Sequence, residues 1–428
     1  MARFRVDRTT TPTPQSGWVA ISQPESHDDG KTDEKQKATS FWKVCERAIG
    51  ELLNCDQVMV LTGLGTSLGI KDTSGQSTFP TMSNLWNFSK EKTKADKFEA
   101  IQKHVNYHGE GKTNIEDLLS RCLMSIELSN GSTTGEVFSD ISAFVSIVQS
   151  VIRDSCRKKL NADDTRVHED FLRRLSRRSA RNPRSCLFTT NYDMCFEQAA
   201  ANIRLTFIDG FSFSSTPRFI PDHYDYDIVT KSSYSKEPDY IPNLIRLYKL
   251  HGSVDWVKDN DIITKDHSTT NPLLIYPHSD KYAASYSPPF IELMARFQTL
   301  LRIRNLGLLV VCCGFNDPHI AEPVLSAIKS NANMRVAICD PDLCDYDAAM
   351  LYKKEGAKGA LKANSTLSYI DRLVSGGDKR ITLINGYFDD LTSLMPMNAT
   401  SSDQEKHEER ILATDQVKPP PKPLRPKK

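Results

Sequence analysis

Residues 306–315 read LGLLVVCCGF, apolar on both sides of a two-residue alternation. A half-buried strand would alternate with polar residues, and a membrane-spanning helix needs about 20 apolar residues. A run this short and this uniform suits a strand covered on both faces, in the interior of a parallel sheet flanked by helices. Such a sheet requires more apolar strands with helices between them, and the chain supplies both. Strand-like runs recur at 57–62 (QVMVLT), 186–189, 244–250, 273–276, 334–339 and 381–383. Phe41, Val44, Cys45, Ala48 and Leu52 share one helix face, with Ser40 positioned to cap it, and residues 290–301 read as another helix. The expected fold is α/β, a Rossmann-like doubly wound, mainly parallel sheet.

From about 81 to 181 the strand signal gives way to helix. Ile115, Leu118, Leu119, Cys122 and Ile126 form a stripe behind Asn114, a natural N-cap, and Ile141, Phe144, Val145, Val148 and Ile152 form another. This predicts a helical insertion of about 81–181 inside a domain spanning 39–399. Residues 1–38 are rich in Thr, Pro, Ser, Asp and Lys and are expected to be a flexible arm; 400–428, ending KPPPKPLRPKK, is expected to be a disordered basic tail.

Charge is balanced, 55 basic against 54 acidic residues for a net +1, so it selects no polyanionic partner. Locally, segment 153–184 gathers Arg153, Arg157, Lys158, Lys159, Arg166, Arg173, Arg174, Arg177, Arg178, Arg181 and Arg184. Because Val167, Phe171, Leu172 and Leu175 run through it, a solvated helix face and a nucleic-acid surface both fit. No apolar run has membrane-spanning length and the first residues lack a signal-peptide core, which predicts a cytoplasmic protein with no membrane contact. The cysteines sit mostly in apolar segments with no CxxC pair, so reduced thiols and no metal are expected.

Four polar loops follow strand-like runs. LTGLGTSLG (61–69) has Gly63 and Gly65, which let backbone approach a phosphate, and Thr66 and Ser67, whose hydroxyls can donate at a helix start. Its third glycine falls at 69 and no Gly-Lys-Ser/Thr follows, so it is neither GxGxxG nor a Walker loop. FTTNYD (188–193) carries Asn191 and Asp193. KLHGSVDW (249–256) sets His251 at a strand end, expected to be exposed enough to titrate, before Gly252 and Ser253. VVCCGFNDPH (310–319) breaks at Gly314 into a loop with Asn316 and Asp317. Each alone reads as a turn. Together they occupy the carboxyl ends of predicted parallel strands, where open α/β sheets bind ligands.

GLGTS resembles the phosphate loop of the sirtuin superfamily, TTNYD and KLHGS resemble the Asn and His motifs of its bacterial NAD-cleaving branch, and GFNDPH resembles that branch's third loop. Order and spacing match over about residues 41–345. FTTNYDMCFEQAA, DGFSFSSTPRFIPDHYD, LYKLHGSVDW and LIYPHSDKY with FIELMARF are similar to the sirtuin-like subunit of antiphage systems paired with a HerA-type hexameric ATPase. Leu64 and Thr66 depart from the small residues usual in the loop, and the four-cysteine zinc module of deacylating sirtuins is missing. The resemblance implies NAD as substrate and no metal. Its catalytic residues would be Asn191 and His251; Gly63, Gly65, Thr66, Ser67, Asp193, Gly252, Ser253, Gly314 and Asp317 would bind NAD, with Asp317 towards the adenosine. It further implies a homo-oligomer docked on the ATPase, with nucleic acid reached through that complex. Alternatives are an NAD or ADP-ribose-binding scaffold, a nucleic-acid-processing subunit, and an NAD-dependent transferase or deacylase.

Overall fold

The computed structural model describes residues 3–6, 18–23, 33–107, 114–128, 136–179, 182–231, 239–275, 288–346 and 365–397. Its strands are β1 (Arg3–Val6), β2 (Val19–Ile21), β3 (Gln57–Thr62), β4 (Cys186–Thr189), β5 (Thr206–Ile208), β6 (Val229–Thr230), β7 (Asp239–Tyr240), β8 (Leu244–Lys249), β9 (Trp256–Asp259), β10 (Ile262–Lys265), β11 (Leu306–Val311), β12 (Arg335–Cys339) and β13 (Ile381–Asn385). The helices are α1 (Asp33–Leu53), α2 (Gly65–Leu68), α3 (Met82–Thr93), α4 (Ala95–His104), α5 (Ile115–Leu128), α6 (Glu136–Cys156), α7 (Ala162–Ser176), α8 (Cys195–Asn202), α9 (Phe290–Leu300), α10 (Pro318–Ser330), α11 (Thr366–Ser375) and α12 (Phe388–Leu394).

Nine strands form one sheet in the order β2-β1-β13-β12-β11-β3-β4-β8-β5, and every pairing in it is parallel. The fold is α/β and doubly wound, as expected. From β3 the chain builds outward through β4 to β8, then returns to lay β11 on the other side of β3 and continues to β12 and β13. The winding direction therefore reverses between β3 and β11, which opens a crevice beyond their carboxyl ends.

β11 is apolar throughout because both its faces are covered. Leu309 and Val311 pack in a core with α1, α7, α8 and α12, while Leu308 and Val310 pack in another with α9, α10 and α11. Under the crevice, Phe188 of β4 stacks on Tyr248 of β8 at 4.3 Å, and Tyr224 stacks on the far side of Tyr248, also at 4.3 Å. Such offset pairs contribute on the order of 1 kcal/mol each beyond their burial and hold the two strand ends in register.

Helices α3 to α6 enclose a separate core built on Trp86, Phe98, Ile115, Leu118, Phe144 and Val148. Asn114 caps α5, its Oδ1 accepting from the N–H groups of Glu116 at 3.1 Å and Asp117 at 3.2 Å. This bundle meets the sheet domain through Leu274 and the ring of Tyr192. α7 is not part of it: Phe171, Leu172 and Leu175 pack on the main sheet.

Three expectations need correction. The arm of 1–38 is partly ordered, because β1 pairs with β13 and β2 with β1, burying Phe4 and Ile21. Strands of three and four residues carry too few apolar groups to stand out in a Thr/Pro-rich segment. Ser40 is no cap, since α1 begins at Asp33. Residues 273–275 form no sheet strand; Leu274 makes a single antiparallel bridge to Gly252, and its side chain joins the helical bundle instead. The tail 400–428 and the YPHSDKY stretch (276–282) lie outside the described residues.

Candidate active site

The four polar loops converge at the carboxyl ends of β3, β4, β8 and β11, which are neighbours in the sheet. The loop after β3 can lie against the loop after β11 only because it has glycines. A Cβ on Gly63 would stand 2.5 Å from Cys312 O, and one on Gly65 would stand 2.6 Å from Cys312 Cβ. Cys312 and Phe315 themselves hold left-handed backbone at φ 49° and 52°, strain that the surrounding packing must offset.

Asn191 ties the first two loops together. Its Nδ2 donates to Gly63 O and Thr66 Oγ1, each at 3.1 Å, and to Ser67 Oγ at 3.0 Å. Gly63 O can only accept, which fixes the orientation of the amide. The carboxamide oxygen has no donor among the described residues. Asp193 is a second tie, accepting from Ser67 Oγ at 2.7 Å and from Cys195 N at 3.0 Å. Thr66 donates its hydroxyl to Gly63 O at 2.9 Å. These hydroxyls are therefore committed within the protein, as are the N–H groups of Gly63 and Thr66, to Val311 O and Gly63 O. Leu64 and Gly65 retain N–H groups with no acceptor in the described main chain, and α2 has only four residues, so the predicted cradle of Gly63, Thr66 and Ser67 donors is narrower than expected.

The strand β8 ends in a buried charge network. Lys249 Nζ donates to Asp193 O, to Glu197 Oε1 at 2.9 Å and to Tyr192 O at 3.5 Å. Burial alone would lower the Lys249 ammonium, but the carboxylates of Glu197, Asp255 and Asp193 outweigh it and hold the proton on. His251 follows. Contrary to expectation it is buried, only 2% exposed, because the chain turns sharply at Gly252, whose φ of +85° and close approach to Leu273 O exclude a side chain. Ser253 Oγ and both carboxylate oxygens of Asp255 are buried with no hydrogen-bond partner among the described residues. Such groups are ordinarily satisfied by bound water or ligand.

Asp317, expected towards the adenosine, has Oδ2 4.0 Å from His251 Nε2, while Gly314 lies exposed on the preceding loop. His251 Nε2 also lies 3.0 Å from His319 Nε2. The sequence reading did not single out His319, although it closes the quoted motif GFNDPH; nor did it single out Lys249, Glu197 or Tyr192. It also passed over Asp340, which ends β12 beside the crevice in the run CDPD. Burial raises the Asp340 carboxyl to about 6, even with Asp342 N donating to it at 3.0 Å. An acidic group beyond a strand near a switch point is suited to accept from a ribose hydroxyl. Among the described residues, no group of three or more His, Cys, Asp or Glu side chains could hold a metal ion, and no helix is long and apolar enough to cross a membrane.

Comparison with known proteins supports the sirtuin-like resemblance. Residues 185–360 match the SIR2-like domain family. That span takes in Asn191, His251 and the Asp317 loop but not the glycine loop or the bundle of α3 to α6. No protein of curated function matches the chain. Among solved structures, that of cytosolic 5′-nucleotidase IIIB bound to cytidine aligns over 77% of this chain and 92% of that chain, at 10% identity. Its TM-score of 0.27 is too low to bear on fold or function. The SIR2-like match supports a sirtuin-like superfamily assignment, and with it NAD-linked chemistry.

Proposed function

We propose that the protein is an NAD glycohydrolase that cleaves NAD to nicotinamide and ADP-ribose. The observation that carries this reading is the convergence of Asn191, His251 and the glycine loop at one switch-point crevice in a SIR2-like chain. In NAD the bond to nicotinamide joins an anomeric carbon to a cationic pyridinium. The leaving group departs neutral, so the protonating carboxylic acid of ordinary glycoside hydrolysis is unnecessary. The chain has to hold the diphosphate, orient the ribose and accept one proton. Leu64 and Gly65 N–H groups would meet the diphosphate; the Asn191 carboxamide oxygen, which has no donor among the described residues, would orient the attacking water or a ribose hydroxyl; His251 would act as base, an effect worth on the order of 10²–10⁴ in rate.

The same resemblance supports a cellular role as an antiphage effector that depletes NAD, a homo-oligomer working with a HerA-type ATPase, so turnover is best measured both alone and with such a partner. Asn191→Ala and His251→Ala are expected to abolish nicotinamide release while leaving the melting temperature within a few degrees of the parent. Release at the parental rate in both variants would sink the reading. Mass-resolved products distinguish hydrolysis from transfer to a protein.

A further inference from the structure

We propose that His319 is the proton partner of His251, a positioning residue that carries the hydrolytic proton from the enclosed site to the groove between α9 and α10. The inference rests on the NAD-cleavage reading and extends it by one residue. Its first support is geometric: the two Nε2 atoms are 3.0 Å apart, with ring centroids 5.2 Å apart and planes at 39°. Imidazole nitrogens at that spacing share a single proton, one ring donating N–H and the other offering its lone pair. Two imidazolium ions facing each other in this way would repel and have nothing to accept with.

The second support is position. Both rings are buried, His251 2% and His319 8% exposed, but His319, in the first turn of α10, lines a groove of about 550 Å³ between α9 and α10 together with Ile291, Gln298, Arg302, Glu322 and Ser326. His319 thus joins the deeper His251 ring to the edge of that groove. Hydrolysis leaves one proton over: the C1′–N bond breaks with its electron pair going to the pyridine nitrogen, the water oxygen bonds to C1′, and a water proton must leave. In the matching tautomers, His251 takes that proton on its other ring nitrogen, its Nε2–H passes to the lone pair of His319 Nε2, and His319 releases a proton to water in the groove. Among the described residues, the charged groups around the pair include Asp317, 4.0 Å from His251, Glu322 and Arg302 on the groove walls, and the Lys249, Glu197, Asp193 and Asp255 network at the end of β8.

The test is NAD turnover in weakly buffered solution, by whichever assembly of the full chain is active. His319→Ala is expected to slow turnover by roughly 10-fold or more with KM for NAD unchanged, and added imidazole, entering from the groove, is expected to restore it. His319→Gln, which keeps a hydrogen bond but cannot relay a proton, should show the same defect. A parental rate in these variants, or a defect that imidazole does not relieve, overturns the relay while a dead His251→Ala leaves the NAD reading standing. Full activity of His251→Ala overturns the relay, and full activity of both His251→Ala and Asn191→Ala overturns the NAD reading with it. Nitrogen-15 shifts of the unliganded protein need no turnover: the two rings should titrate together as a pair, and two independent titrations would refute the shared proton.

Discussion

Asn191 joins the glycine loop to the end of β4 through one amide nitrogen, so a change there alters geometry as well as chemistry. For this reason the folding control on Asn191→Ala matters as much as the rate. Asp340 offers a cleaner reading. Its carboxyl, lifted to about 6 by burial, binds its proton more tightly in the folded than in the unfolded chain. Stability it contributes is therefore present at acidic pH and lost as pH rises from about 4 through 6. Asp340→Asn should raise stability by about 3 kcal/mol at pH 7 and by little at pH 4; a melting-temperature gap that fails to widen with pH would contradict this. Asn191 and His251 were legible because polar groups crowd the ends of apolar runs. His319 and Lys249 were not: one lies inside an amphipathic helix, the other within a strand, and only the fold brings them to the site. The burial of His251 was equally hidden, since it follows from the Gly252 turn.

Among the elements, β3, β4, β8 and β11 to β13 were readable because being covered on both faces leaves a mostly apolar run. β1, β2 and β5 are three or four residues long, and their place in the sheet is decided by partners far along the chain. The order of β1 can be tested through Phe4, which is 1% exposed. Phe4→Ala should cost about 3 kcal/mol in urea unfolding; an unchanged midpoint would return the segment to a flexible arm. The helical bundle has a more direct bearing on function than its separate core suggests. It rests on Tyr192, next to Asn191, and the Tyr192 hydroxyl donates to Ile275 O at 2.6 Å. The bundle and the Asn191 loop therefore share a wall.

Across the whole molecule, part of the basic segment is bound up in the fold. Arg157 donates to Val254 O, Arg174 to Met395 O, Arg177 to Met397 O, and Arg178 to the carbonyls of Leu53, Cys55 and Asp56; Arg153, Arg166, Arg173 and Arg184 meet carboxylates. Arg181 lies outside the described residues. Arg157, Arg174, Arg177 and Arg178 thus staple α1, α7 and the turn before β9, while Lys158, Lys159, Arg166 and Arg173 stay on the surface. Arg178→Ala should lower stability by about 2 kcal/mol and leave any salt-dependent DNA affinity unchanged; a drop in affinity without destabilisation would revive the nucleic-acid reading. The strand order also sets a schedule. On a ribosome adding roughly 5–20 residues per second, the glycine loop, Asn191 and His251 emerge well before β11 arrives to form the crevice, and β1 waits for β13, near the other end of the chain. Until β11 has been made, the growing chain carries these loops without the wall that closes the crevice, so the complete site is a late product of synthesis.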